Sequence, residues 1–135
     1  MRVLVQRSGK AQVKVDGKIV GSIDNGLMLL VGFTHGDDLE KVKHLAKKCV
    51  NLRIFPDEND VMNKSILDFG GDILSVSQFT LYADPTSGNR PSFVGALPGE
   101  KSSLLYDKFN ELLSKEIDVQ TGVFGAHMEI EFTNI

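Results

Sequence analysis

A chain of 135 residues fits one domain, and 41% hydrophobic with 24% charged residues is an ordinary globular balance. That excludes disordered, collagen-like and coiled-coil chains. Fifteen Lys and Arg against 18 Asp and Glu leave a net charge of −3, too little positive charge for a protein that wraps duplex DNA. The charge is uneven: residues 1–53 carry ten basic and five acidic side chains, and residues 54–135 carry five and 13. The basic half could at most grip a few phosphates, and ordinary surface charge is the plainer reading of it.

The longest apolar run, Leu27–Phe33, is far short of the ~20 residues a membrane span needs. The opening MRVLVQRSGKAQVKV is too polar for a signal peptide. A single cysteine, Cys49, forms no internal disulfide, so a reducing cytoplasm is expected, away from membranes. One Cys and three scattered His (His35, His44, His127) offer no zinc spacing, and no metal or cofactor is expected.

Taken in chain order, Met1–Arg7 alternates as a strand, and so does Lys10–Val15 with Ala11, Val13 and Val15 on one face. Asp16-Gly17 predicts a hairpin turn and Lys18–Ile23 the return strand. Asp24-Asn25-Gly26 reads as the next turn. Leu27–Phe33 reads as a strand covered on both faces. The period then becomes helical: Leu39, Val42, Leu45, Ala46, Cys49 and Val50 form a stripe, predicting a helix over Asp38–Asn51. Asp37, with Glu40 three residues on, reads as its capping box. Cys49 lies on the stripe as a small core hydrophobe. Arg53–Phe55 is a short strand stopped by Pro56. Ser65–Phe69 and Ile73–Tyr82 read as a strand pair around Gly70-Gly71. Asp84–Gly99 is a long loop, and loops of that length tend to be functional. Glu100–Glu116 is a helix facing inward through Leu105, Phe109, Leu112 and Leu113. Asp118–Ala126 reads as a loop, and His127–Thr133 as a final strand. The sum is one α+β domain over residues 1–135. It has a curved, mostly antiparallel, barrel-like sheet with two main helices packed outside.

The chain has no phosphate-binding glycine loop and no G-x-S-x-G nucleophile elbow. Two polar islands stand out. One is Ser77-Gln78-Phe79-Thr80-Leu81, where a buried strand runs out into hydroxyls and an amide. The other is Asn89-Arg90-Pro91-Ser92-Phe93 in the long loop. Arg90 could hold a phosphate or carboxylate, or brace the loop. Ser77 or Thr80 as nucleophile with His127 as base would make a small-ester hydrolase. The Lys-rich helix would suit a non-catalytic RNA-binding module.

SVSQFTLYAD (Ser75–Asp84), RPSF (Arg90–Phe93) and VQTGVFGAHM (Val119–Met128) resemble the D-aminoacyl-tRNA deacylases. So do MRVLVQR, VDGKIVGSI (Val15–Ile23) and NLRIF…MNKSILDFGGDIL (Asn51–Leu74). The likeness is collinear and covers essentially the whole chain. It implies a homodimeric, barrel-like enzyme that hydrolyses the ester between a D-amino acid, or mischarged glycine, and the tRNA 3′ end. It implies catalytic roles for Ser77, Gln78, Phe79 and Thr80, with substrate contacts at Phe93, Ala126, His127 and Met128, to which the loop residue Arg90 is added as an anion-binding candidate. It implies a backbone oxyanion hole, helped by the tRNA 2′-OH, in place of a side-chain nucleophile. The sequence departs from the family in two places. The family's Asn-x-Gly-Pro-Val-Thr motif, whose Gly-cis-Pro excludes L-residues from the partner subunit's site, does not follow Thr133-Asn134-Ile135. His127 stands where the family often has an acidic residue.

Overall fold

A computed structural model describes the chain from Met1 to Ile135. The expected strands at either end of residues 1–15 are one long strand, β1 (Arg2–Val15). Asp16-Gly17 turns the chain back along β1 as β2 (Lys18–Ile23) and then β3 (Gly26–Gly32). Asp24-Asn25 does not reverse the chain. The antiparallel pairing passes from Ala11↔Ile23 to Ser8↔Gly26 and on to Arg2↔Gly32. Pairing along one edge of β1 overrides the local turn signal, leaving only a bend.

α1 (Leu39–Asn51) forms as its stripe predicts, with Val42, Ala46, Cys49 and Val50 buried. Its cap is Asp38, whose carboxylate accepts from Lys41 N at 3.0 Å. Asp37 is occupied elsewhere: it takes the Met1 ammonium at 2.7 Å and Thr34 N at 2.8 Å. β4 (Phe55–Pro56) and β5 (Met62–Lys64) make a small separate hairpin. The expected strand at Ser65–Phe69 is instead a helical turn, α2 (Ile66–Phe69). Ser65 and Asp68 close a capping box that satisfies the first donors of that turn, and this stabilises helix over strand.

β6 (Asp72–Ser77) pairs parallel to β3, from Gly26↔Asp72 to Val31↔Ser77. The strand expected to reach Tyr82 stops there, and Phe79–Tyr82 winds into a single 3₁₀ turn. α3 (Gly99–Ser114) buries Ser102, Tyr106, Phe109 and Leu113, while Leu105 and Leu112 pack at the edge of the core. Val119–Thr121, expected as loop, is β7, parallel to β6. β8 (Glu129–Asn134) pairs antiparallel with β1.

The sheet runs β2-β1-β3-β6-β7 with β8 on β1. It curls until β7 meets β2. A Cβ added to Gly21 would stand 2.6 Å from the Thr121 carbonyl oxygen, so only glycine permits this near-closure. The result is the expected barrel-like α+β domain. Leu27, Leu29, Val31 and Ile73 point outward to α1 and α3, while Met28, Leu74 and Val76 point inward to Val13 and Ile23. Both faces of β3 are therefore covered, as its unbroken apolar run requires. Burial in the outer layer pushes the Cys49 thiol up to about 11.

Candidate active site

Because β3 and β6 are parallel, their C-terminal ends lie side by side. A cavity of about 490 Å³ opens there, with Val31, Gly32, Phe33, Val76 and Ser77 as its floor. Gln78 and Phe79 form one wall. Ala96, Leu97 and the first turn of α3 form a second, and Phe124–Met128 a third. His127 is the one ionisable side chain in the lining. No cluster of three His, Cys, Asp or Glu that could hold a metal ion occurs in the fold.

The 3₁₀ turn is clamped in place. Gln78 N donates to Val31 O at 2.7 Å, extending the parallel ladder by one bond. Arg2 donates to Leu81 O at 2.6 Å and lies 4.4 Å from the centre of the Tyr82 ring. The first N–H groups of a 3₁₀ turn have no carbonyl within it to reach. No side chain caps this turn either. The Phe79 and Thr80 N–H groups are therefore donors available to a ligand. The Thr80 hydroxyl accepts from the Gln78 amide.

Phe79 is 57% exposed, an unusual state for a phenyl ring beside an apolar cavity. Phe93 meets it edge-on at 5.2 Å. The long loop sets Phe93 there through a chain of backbone bonds. Asp84 and Ser92 exchange two bonds of 2.8 Å. Thr34 Oγ1 donates to Gly95 O at 2.6 Å, and Leu97 N to Phe33 O at 3.0 Å. On the opposite wall, Phe124 rests against Tyr106 at 5.9 Å, and the Tyr106 hydroxyl donates to Ser75 O at 2.7 Å. The same carbonyl accepts from Gly122 N at 3.3 Å, which ties the third wall to β6.

The fold thus brings Ser77, Gln78, Phe79, Ala126, His127 and Met128 to one cavity. Thr80 sits behind Gln78 and Phe93 beside Phe79. Arg90 is exposed in the loop, outside the cavity lining and outside the ion pairs of the fold. No hydrogen bond joins His127 to the hydroxyl of Ser77 or Thr80. Phe33, Leu97, Ser102 and Phe124 also line the cavity. Sequence reasoning missed them because they come from four separate segments. Phe124 alone carried a signal, by lying inside VQTGVFGAHM.

The chain is similar to known proteins over nearly its whole length. Residues 4–135 match the family model described as D-Tyr-tRNA(Tyr) deacylase. The D-aminoacyl-tRNA deacylase of Clostridium acetobutylicum is 52% identical over 135 residues, covering 99% of this chain and 91% of that one. That of Listeria monocytogenes is 56% identical over 99% of this chain and 89% of its own. Among solved structures, a c-Myc DNA unwinding element binding protein superposes with a TM-score of 0.92 at 36% identity, covering 98% of this chain and 91% of its own. A probable eukaryotic D-amino acid tRNA deacylase shares the fold, with a TM-score of 0.80 at 19% identity over 97% of this chain and 92% of its own. With a match that runs from the first strand through the cavity walls to the last strand, this chain belongs to the D-Tyr-tRNA(Tyr) deacylase family.

Proposed function

We propose that this protein hydrolyses the ester of D-aminoacyl-tRNA, and of glycine mischarged on tRNA, releasing the amino acid and free tRNA. The observation that carries the reading is the clamped 3₁₀ turn. It presents the Phe79 and Thr80 N–H groups beside an apolar cavity in which no hydrogen bond pairs the Ser77 hydroxyl with His127. An aminoacyl ester is already activated. Water attacks its carbonyl carbon, and the tetrahedral oxyanion takes hydrogen bonds from the two N–H groups. The terminal ribose 2′-OH orients that water, and the 3′-oxygen leaves with the proton that water gives up. A rigid wall that fits the α-hydrogen and not Cβ selects D-residues whatever their side chain, which makes the reaction a chiral proofreading step in translation. In this reading the partner is the single-stranded aminoacyl-tRNA 3′ end, and the enzyme works in the cytoplasm as a homodimer.

The test is to incubate the protein with D-Tyr-tRNA and L-Tyr-tRNA and follow the loss of each ester. The D-ester should disappear first, with no covalent intermediate. Equal loss of both esters, or loss of neither, would overturn the reading. A stoichiometric acyl-enzyme burst would favour the small-ester hydrolase with a Ser77 or Thr80 nucleophile instead.

A further inference from the structure

We infer that the exposed face of α1, together with the C-terminal end of α3, is the surface on which the double-helical part of the tRNA rests. This rests on the proposed tRNA substrate and names a part of the protein that the cavity does not use. Lys43, His44, Lys47 and Lys48 are all exposed on α1, on the side away from its buried stripe of Val42, Ala46, Cys49 and Val50. The helix spacing stacks Lys43 on Lys47 and His44 on Lys48, one turn apart. Such a row of like charges costs a helix stability unless something outside it compensates.

Nothing within the fold compensates fully. Lys41 is paired with Asp37 and Lys43 with Glu40 at 3.6 Å, but Lys47 and Lys48 enter no ion pair. Lys43 and Lys47 share a shallow groove with Lys115, which follows the last turn of α3. Apolar Ala46, Val50, Leu67 and Leu112 also line that groove, and Glu116 is the one carboxylate among its lining residues. A cationic row only partly paired within the fold fits a polyanion with regularly spaced charges, and an RNA backbone is such a polyanion.

Placement relative to the cavity supports the same occupant. Phe33 lines the cavity, and α1 begins at Leu39. At about 1.5 Å per residue, Lys43–Lys48 lie roughly 6–14 Å along the axis from the start of α1. An acyl end held in the cavity leads outward as single-stranded nucleotides before the duplex begins. Gly99 at the start of α3 lines the cavity and Lys115 lies roughly 24 Å along that helix from it, so the groove stands apart from the site that reacts. The duplex would be gripped by its phosphates and not read by its bases.

The experiment replaces Lys43, Lys47 and Lys115 by Gln together. A control variant carries Lys10→Gln and Lys18→Gln on the β1–β2 hairpin. Binding of uncharged tRNA is measured by fluorescence anisotropy across a salt series. Each phosphate that the protein no longer neutralises should flatten the slope of log K against log salt by about 0.7–0.9. The triple variant should therefore bind several-fold more weakly near 0.1 M salt, with a slope shallower by about two. The control should match the parent chain. On D-Tyr-tRNA the triple variant should raise KM and leave kcat unchanged. On D-tyrosyl-adenosine, which has no duplex, it should behave as the parent chain. A triple variant with the parental slope would overturn the inference, as would an equal weakening in the control or a parent chain without salt-dependent tRNA binding. If neither ester is cleaved by any variant, the hydrolase reading fails, while the anisotropy series still decides this one.

Discussion

A Cβ placed on Gly32 would lie 2.9 Å from the carbonyl oxygen of Gln78 and 3.1 Å from Cβ of Leu81. β3 and the 3₁₀ turn are thus in backbone contact, and the turn cannot approach a residue with a side chain at position 32. Gly32→Ala should displace the turn by a few tenths of an ångström or more. The outer core layer does not pass through this contact, so the fold should persist by circular dichroism. Oxyanion donors lose their effect when misplaced on this scale, so kcat/KM for D-Tyr-tRNA should fall by about 10- to 100-fold. A variant with full activity would show that the turn is not the oxyanion site.

Thr80→Ala removes a hydroxyl that is engaged by the Gln78 amide and keeps the backbone N–H at position 80. Activity should fall modestly, by less than about tenfold. Loss of a covalent nucleophile costs on the order of 10⁴-fold or more. A fall of that size, measured in single-turnover assays on a folded variant, would overturn the backbone mechanism.

Tyr106→Phe deletes the bond to Ser75 O, although that carbonyl still accepts from Gly122 N. The carbonyl is not orphaned, so the loss should be about 0.5–1.5 kcal/mol by urea denaturation. Tyr106→Ala also removes the ring under Phe124 and should cost about 3–5 kcal/mol. If the alanine variant matched the phenylalanine one, Tyr106 would not be supporting the third wall of the cavity.

Cys49 carries a pH dependence of known sign. Burial pushes its thiol from an ordinary 9.0 up to about 11, because the thiolate is poorly solvated between α1 and the sheet. Below pH 9 both folded and unfolded chains keep the proton, and the full benefit of burying a neutral thiol is present. Between pH 9 and 11 the unfolded chain loses its proton first, so stability should fall by about 2 kcal/mol from this group. Urea midpoints at pH 8 and pH 10.5 should converge more closely in Cys49→Ala than in the parent chain. In the same range of conditions, native Cys49 should resist alkylation at pH 8 and react once urea unfolds the chain.

Much of the architecture was legible in the sequence where the signal is local. The alternation of Ala11, Val13 and Val15 and the Asp16-Gly17 pair specify a hairpin without reference to anything distant. The stripe from Val42 to Val50 specifies a helix and the face it buries. LMLLVGF has no polar face, so its burial on both sides follows from composition alone. The motifs around Ser77–Thr80 and Ala126–Met128 identified candidate site residues that the fold does place together.

What the tertiary structure decided depends on partners far away in sequence. Val119–Thr121 is too short to show a period, and it is a strand because β6 offers it an unpaired edge. Phe79–Tyr82 has the composition of a strand, yet it coils where the ladder to β3 ends at Val31↔Ser77 and the Gln78 N–H takes the last carbonyl. Asp37 has the sequence position of a helix cap, but the Met1 ammonium claims its carboxylate and Asp38 caps instead. The cavity itself was invisible in the sequence, because Phe33, Leu97, Ser102 and Phe124 meet only when two parallel strands end side by side. Local propensities differ by a fraction of a kcal/mol per residue, whereas an unsatisfied buried backbone group costs more than that. At Asp24-Asn25, Asp37 and Val119–Thr121 the non-local hydrogen bond or ion pair prevails, whereas at Ser65–Phe69 the local capping box decides.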